Sequence, residues 1–192
     1  MNMATRFAVY RALVGFTCQA PVFALYYLSQ GLDFRGLMTL AVAFAAAKLC
    51  LDVPAGVVAD RIGRRRALTA RVAIEALSVA VLLDHHFLAS ALLAGAGCAF
   101  SSGAEAALVY ERHGRDFQTV YRRAASWGFV STAVAALVGG LLAPFSFELV
   151  YALRLAVLAA AVVVSSGFVE AGPRVNPPLP AAGPPRRGLL GV

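Results

Sequence analysis

Charged side chains are scarce in this sequence: only 14% of its 192 residues are Asp, Glu, Lys or Arg, whereas 60% are hydrophobic. A soluble domain normally carries about 25% charged residues and under half apolar ones. A single water-facing fold cannot bury such a surplus of apolar side chains. The composition therefore excludes a soluble globular domain and indicates a protein that lies in a lipid bilayer.

Cysteine is also rare, and no metal or cofactor motif is evident. The three cysteines, Cys18, Cys50 and Cys98, each lie inside a long apolar run, so we expect free thiols and no disulfide framework. His85 and His86 are adjacent, and adjacent residues do not share a helix face. A nucleotide-binding G-x-x-x-x-G-K and a zinc-binding H-E-x-x-H are both missing. We therefore predict neither a metal site nor a cofactor.

Six segments are apolar enough to cross a bilayer, which takes roughly 20 residues of helix. They cover residues 7–29, 36–59, 67–83, 87–110, 126–147 and 150–169. The third is the weakest because Arg71 and Glu75 interrupt it. Membrane β-strands would alternate polar and apolar residues over about ten positions, and the segments lack that alternation. The sequence predicts an all-α membrane protein whose six transmembrane helices form a bundle over residues 1–170.

Basic residues concentrate in alternate connections between these segments. Of the 17 lysines and arginines, 13 lie on one side and only Arg35 lies on the other. Cytoplasmic loops are enriched in such residues, so we expect both termini in the cytoplasm. Contact with anionic lipid then accounts for the net charge of +7 without nucleic acid. The 13 residues are Arg6, Arg61, Arg64, Arg65, Arg66, Arg71, Arg112, Arg115, Arg122, Arg123, Arg174, Arg186 and Arg187.

Two stretches on that side have a character of their own. Residues 171–192 hold six of the nine prolines, which is typical of an extended, solvated tail. The connection over residues 111–125 is the longest between segments and mixes charges with Phe117 and Tyr121. We expect this connection to form a short amphipathic helix at the membrane surface.

The connection between the second and third segments carries the most specific motif, GVVADRIGRRRAL over residues 56–68. Gly56 permits a close helix approach, Asp60 ends a helix, and Gly63 supplies a permissive turn. Arg61 and Arg64 hold the loop at the cytoplasmic side. An ordinary basic loop would explain the arginines but not the spaced glycines or the single acid.

This loop resembles the signature of the major facilitator superfamily, G-x-L-A-D-R-x-G-R-R/K-x-x-L, and departs from it only at Val58. Its place after the second of six helices also fits. The resemblance implies one half, the amino-terminal one, of that transporter fold. It further implies that Asp60 and Arg64 help to lock two halves together on the cytoplasmic side. The proline-rich tail resembles the start of the connector between halves.

Two further stretches resemble one bacterial branch of the superfamily. Residues 52–56 read D-V-P-A-G where the branch has E-x-P-x-G, and residues 102–111 match its S-G-A-x-x-A-L-x-Y-D/E run. Two other family motifs are missing. The fourth helix lacks the arginine often used in proton coupling, and no Gly-Pro precedes Gly139 and Gly140 as in the antiporter signature. These departures weaken an assignment to drug/proton antiport.

Ionisable residues at membrane depth are costly and mark either a functional path or a structural pair. Lys48 with Asp52, and Arg71 with Glu75, lie four apart and predict ion pairs along helix faces. We favour a structural role for both pairs. A stripe of small residues in the fifth helix predicts close helix packing. The stripe comprises Ser131, Ala135, Gly139 and Ala143.

Four residues are candidates for a substrate or proton path: Gln19, Asp52, Glu75 and Glu105. Glu105 is the best of the acids because it has no partner in its own helix. The resemblance implies that the first and fourth helices line a central cavity. Gln19 and Glu105 would then lie within reach of a substrate.

Three functional classes remain open. The resemblance implies secondary transport of a small molecule by alternating access, with a substrate site between two six-helix halves. This chain would supply one half, and a second copy or a separate second half would be its partner. The alternative is a truncated, non-transporting membrane protein or an interaction module. An intramembrane enzyme is not expected, because Ala55 stands where the D-x-x-D-G-x-x-A-R pattern of lipid head-group transferases needs its second aspartate.

Overall fold

The computed structural model of the chain describes residues 3–101, 104–113 and 116–168, and every regular element in these ranges is a helix. The helices are α1 Met3–Gly15, α2 Phe23–Ser29, α3 Phe34–Ile62, α4 Arg64–Leu83, α5 Phe87–Ala99, α6 Ala104–His113, α7 Phe117–Leu142 and α8 Phe147–Ser166. The predicted tail over residues 171–192, and Ser102 and Gly103 of the fourth predicted helix, lie outside the described residues.

Within the described ranges, four stretches are long and apolar enough to cross a membrane: α3, residues Phe87–Tyr110, α7 and α8. The helical fold class is therefore confirmed. The first predicted span is not among these four, because it is divided into helices of 13 and 7 residues, each too short to cross a membrane. The third, α4, carries Arg64, Arg65, Arg66, Arg71 and Glu75, which is too much charge for its 20 residues.

Local signals in the sequence explain where the long helices begin and end. The side chain of Asp33 accepts a hydrogen bond from the backbone N–H of Gly36 at 2.8 Å and caps α3. Ser146 caps α8 in the same way, by accepting from the N–H of Leu149 at 3.3 Å. Gly63, with φ at +90°, separates α3 from α4 in a one-residue turn that favours glycine.

The segment 7–29 is not one continuous helix as predicted. Residues 16–22 separate α1 from α2, and Pro21, which has no N–H to donate, lies in this break. The last carbonyl groups of α1 lack helical partners there. Arg154 of α8 supplies the missing donors: its Nη1 lies 2.7 Å from the backbone oxygen of Phe16 and 3.3 Å from that of Leu13.

The prediction of a separate surface helix over residues 111–125 is wrong for residues 117–125. Residues 117–125 form the first turns of α7, which begins at Phe117, nine residues before the predicted span. Phe117 and Tyr121 explain the difference. Their rings pack against each other at a tilt of 33°, with centroids 5.5 Å apart, and the ring centroid of Tyr121 also lies 6.2 Å from that of Phe7 on α1. The aromatic side chains of this stretch thus pack against protein, which extends the helix.

α7 packs closely on α1, as the stripe of small residues predicts. The hydroxyl of Ser131 donates to the backbone oxygen of Ala12 at 2.7 Å, and Ala135 is fully buried. A Cβ atom added to Gly139 would overlap the backbone oxygen of Cys18. The prediction is confirmed for these three residues of the stripe. α3 packs chiefly on α5, and α4 lies between α5 and α8.

The bundle has two distinct ends. At one, which we term the arginine end, Arg6 and Arg65 donate to the backbone oxygens of Gly167 and Ser166 and so cap α8. At the other end, the tyrosine end, aromatic rings pack together. The ring centroids of Tyr26 and Tyr151 are 4.7 Å apart, and those of Tyr27 and Phe87 are 5.4 Å apart. The start of α1, the α3–α4 turn and the end of α8 therefore lie together at the arginine end.

Candidate functional site

Glu105 lies at the centre of an ionic cluster that joins three helices. It is only 5% exposed, near the start of α6. One carboxylate oxygen accepts from Nη1 of Arg11 on α1 at 2.6 Å, and the other accepts from Nη1 of Arg71 on α4. Nη1 of Arg71 also donates to the hydroxyl oxygen of Tyr10 at 3.3 Å. A single carboxylate is thus shared by two arginines from two other helices, and the three side chains together keep a net charge of +1.

A second buried pair lies between α4 and α8. Arg154 is fully buried, and its Nη2 donates to the carboxylate of Glu75. The other guanidinium nitrogen, Nη1, faces the carbonyl groups at the end of α1, as described above. Arg154 therefore links the break in the first segment to α4. The charge of Glu75 offsets the large desolvation cost of burying this guanidinium.

The two predicted ion pairs within single helices are wrong. Arg71 and Glu75 each bond to another helix, because the bundle interior brings Glu105 and Arg154 against this face of α4. Among the described residues Asp52 has no bonded partner: its Oδ1 is buried without a hydrogen bond. Lys48, one turn earlier on α3, is exposed.

The signature loop lies at the arginine end of the bundle. Asp60 and Arg61 are exposed, and Arg64 is partly buried. A Cβ added to Gly56 would meet open space, so no described helix packs against that glycine. Gly63 forms the turn that the motif predicts.

A cavity of about 340 Å³ lies toward the tyrosine end, between α2, α3, α4, α5 and α8. We term it the Gln19 cavity, and Tyr151 also lines it. The Oε1 atom of Gln19 and the hydroxyl of Tyr151 are buried, and neither has a hydrogen-bond partner among the described residues. The lining residues are Gln19, Phe23, Tyr27, Leu37, Leu40, Ala41, Phe44, Ser78, Val79, Leu82, Ser90, Ala91, Ala94 and Tyr151.

The four candidate path residues therefore do not converge on one site. Gln19 lines the cavity, whereas Asp52, Glu75 and Glu105 are not among its lining residues. Glu75 and Glu105 belong to the two ionic clusters on α4, and Asp52 lies on α3.

Comparison with known protein families decides the identity of the fold. The model of the Major Facilitator Superfamily matches residues 8–191. The chain belongs to this superfamily. Its length of 192 residues is consistent with the amino-terminal half of the superfamily fold. A comparison with curated proteins gives no match.

Membership in the major facilitator superfamily establishes the class of the protein. The chain is a multi-pass membrane protein of a secondary-transporter family, which implies a small-molecule substrate and contact with membrane lipid. The superfamily consists of transporters, in agreement with the expectation that the chain is not an enzyme.

Sequence reasoning placed Arg11 and Arg154 within membrane segments but named neither of them, nor Tyr10, as a site residue, although these residues complete the two ionic clusters. Arg154 carried a usable signal, because it lies well inside an apolar segment where an unpaired guanidinium is costly. That position alone required an acid from another helix. The hydroxyl of Tyr151 gave no such signal, since tyrosine is common near membrane interfaces.

Proposed function

We propose that this chain is the amino-terminal six-helix half of a secondary transporter that moves a small molecule by alternating access. Six crossings are inferred by counting α1 with α2 as the first span and α5 with α6 as the fourth. The family match carries the transporter class. Lys48 is the observation that calls for a second half.

Lys48 lies at the midpoint of α3, a helix of 29 residues, and is exposed. An ammonium group facing hydrocarbon at mid-membrane depth is expensive, so such residues usually face other protein or a water-filled cavity. On the same helix, Asp60 is exposed, and a Cβ atom added to Gly56 would meet no other atom. A second six-helix half would cover this surface and complete a central path.

Glu105 is the acid that we place in the transport path. Alternating access requires ties between helices that break and re-form, and a carboxylate shared by two arginines is such a tie. A substrate or a proton that competes for Glu105 would release Arg11 or Arg71. Gln19, Asp52 and Glu75 are the further candidates, Gln19 through the cavity and Glu75 through its bond to Arg154.

The arginine end defines the proposed orientation. We place this end and both termini on the cytoplasmic side of a bacterial inner membrane, because arginines concentrate at this end of the bundle. Reporter fusions after Asp84 and after Asp116 should then report opposite sides of the membrane. Equal reports from both positions would contradict the six-crossing topology.

Reconstitution tests the transport proposal itself. Purified chain in lipid vesicles should form assemblies of two six-helix halves, measured by native mass spectrometry. Those assemblies should accumulate at least one compound of a labelled small-molecule panel. Glu105→Gln should reduce that uptake strongly, whereas Glu148→Gln, at an exposed position of α8, should not. A monomer that is stable and active would contradict the half-transporter argument.

A non-transporting interaction module is the second candidate. The pairing of both Glu75 and Glu105 favours it, because a static scaffold also needs its buried acids paired. Assembly with a second half but no uptake by the assembly would favour this candidate.

A further inference from the structure

A cavity of about 380 Å³ lies between α4 and α8 at the arginine end of the bundle. We term it the Arg66 cavity. It is lined by Arg65, Arg66, Thr69, Ala70, Ala73 and Ser166. Two of these residues are cations, and none of the described residues that line the cavity is an acid. The charge of the lining therefore suits an anion.

Both arginines have N–H groups available for a ligand. Arg66 is exposed and bonds to none of the described residues. Arg65 donates through Nη2 to the backbone oxygen of Ser166, which leaves most of its five N–H donors without a partner in the described part of the chain. The hydroxyls of Thr69 and Ser166 already donate within their own helices, so the two guanidinium groups are the donors of this cavity. Guanidinium groups bind phosphate in particular, because their planar N–H forks match its oxygens.

The depth of the cavity in the membrane follows from α8. This apolar helix of 20 residues is long enough to cross a bilayer, whose hydrocarbon core takes about 20 residues of helix. Its last residue, Ser166, therefore lies where the hydrocarbon ends, and Arg65, which bonds to it, lies at the same level. Ala73 lies about 10 Å deeper than Arg66, because α4 runs away from the arginine end. The lining thus changes from arginine at the membrane face to alanine beneath it.

We propose that the Arg66 cavity binds an anionic phospholipid. Its phosphate accepts hydrogen bonds from Arg65 and Arg66, and one acyl chain lies along Ala70 and Ala73, whose small side chains leave room for it between α4 and α8. Basic pockets between transmembrane helices hold anionic lipid head groups in this manner. The proposal assigns one site to a lipid and stands whether or not the chain transports a substrate.

Two lipids with identical dioleoyl chains test the choice of an anionic head group. Phosphatidylglycerol has one net negative charge, and phosphatidylcholine has none. Native mass spectrometry of the purified full chain compares their binding at equal concentration in one detergent. We expect phosphatidylglycerol to bind more tightly and to raise the unfolding temperature more. Glycerol 3-phosphate carries the anionic group without acyl chains and should not displace phosphatidylglycerol at the same concentration.

Arg66→Gln tests the site itself. An arginine close to an anionic lipid head group strengthens binding about 5-fold, so this variant should lose about that factor for phosphatidylglycerol. Arg122→Gln, at an exposed position near the start of α7 and outside the cavity, removes the same charge at the same end of the bundle and should lose less than about 2-fold. Without lipid, Arg66→Gln should unfold at the temperature of the unaltered chain, because Arg66 bonds to no described residue.

Three outcomes would overturn the proposal. Equal binding of the two lipids would exclude an anionic head group as the ligand. Equal losses in Arg66→Gln and Arg122→Gln would show a diffuse attraction by surface arginines instead of a site. Displacement by glycerol 3-phosphate would show a site for a soluble phosphate. All three are read from binding and not from uptake, so they leave the transport proposal untouched.

Discussion

Replacing Arg154 with methionine is the sharpest test of how the first segment is held in the bundle. Arg154 is fully buried in α8, and it donates to Glu75 on α4 and to the backbone oxygens of Leu13, Val14 and Phe16. Methionine keeps much of the side-chain length and apolar character but removes every donor. The substitution therefore removes the donors to the backbone oxygens of Val14 and Phe16 and leaves Glu75 without its cation.

The expected cost follows from these two losses. Removing one partner of a buried ion pair typically costs about 3–5 kcal/mol, because the remaining charge stays uncompensated. The side chain of Glu75 is 24% exposed, so part of its charge reaches solvent and the lower half of that range applies. We expect Arg154→Met to lower the free energy of unfolding by about 3–4 kcal/mol.

Unfolding in mixed micelles, followed by circular dichroism as sodium dodecyl sulfate is added, measures this change. Arg35→Met, at an exposed position of α3, is the control and should shift the transition by less than about 0.5 kcal/mol. Adding Glu75→Gln to Arg154→Met should recover about 1–2 kcal/mol, since it removes the uncompensated charge. An Arg154→Met variant as stable as the control, or a double variant less stable than Arg154→Met alone, would refute the reasoning.

Two neighbouring glycines and two aspartates give further matched tests. Gly139→Ala should destabilise the chain by about 1–3 kcal/mol, because its Cβ would overlap the backbone oxygen of Cys18, whereas Gly140→Ala meets open space and should be neutral in the same unfolding assay. Equal effects at the two glycines would show that α1 and α7 are not closely packed. Asp60→Asn should weaken assembly with a second half, measured by native mass spectrometry, while Asp116→Asn should not, although both acids are exposed in the single chain.

The elements that the sequence predicted well are those determined by neighbouring residues. The turn between α3 and α4 follows from Gly63, which is a local signal, although the predicted spans 36–59 and 67–83 are shorter than the helices Phe34–Ile62 and Arg64–Leu83. The packing of α7 follows from small residues repeated every fourth position, as at Ala135 and Gly139. Such features depend on spacing along one helix, which is visible in the sequence.

The ionic partners could not be predicted by the same rule. The four-residue spacing indicated a bond between Arg71 and Glu75, yet each bonds to a residue far away along the chain. Which helices face each other inside the bundle decides these pairs, and spacing within one helix does not contain that information. The break after Gly15 was also hidden, because residues 16–22 remain largely apolar and the donors that stabilise the break come from Arg154 on α8.

The distribution of polar bonds divides the bundle into a tied part and a part that packing alone holds. Among the described residues, charged bonds connect α1 to α6, α6 to α4, α4 to α8, and α8 back to α1. α3 takes no part in this circuit. Its contact with α5 rests on close packing at Gly95, where an added Cβ would meet the backbone oxygen of Phe44. Packed surfaces without ionic ties slide at lower cost than helices whose movement separates buried charges. As long as Glu105 holds both Arg11 and Arg71, α1, α4, α6 and α8 should therefore move as one unit. Displacement should then concentrate between that unit and α3, the helix that presents Lys48 and Asp60 to a partner.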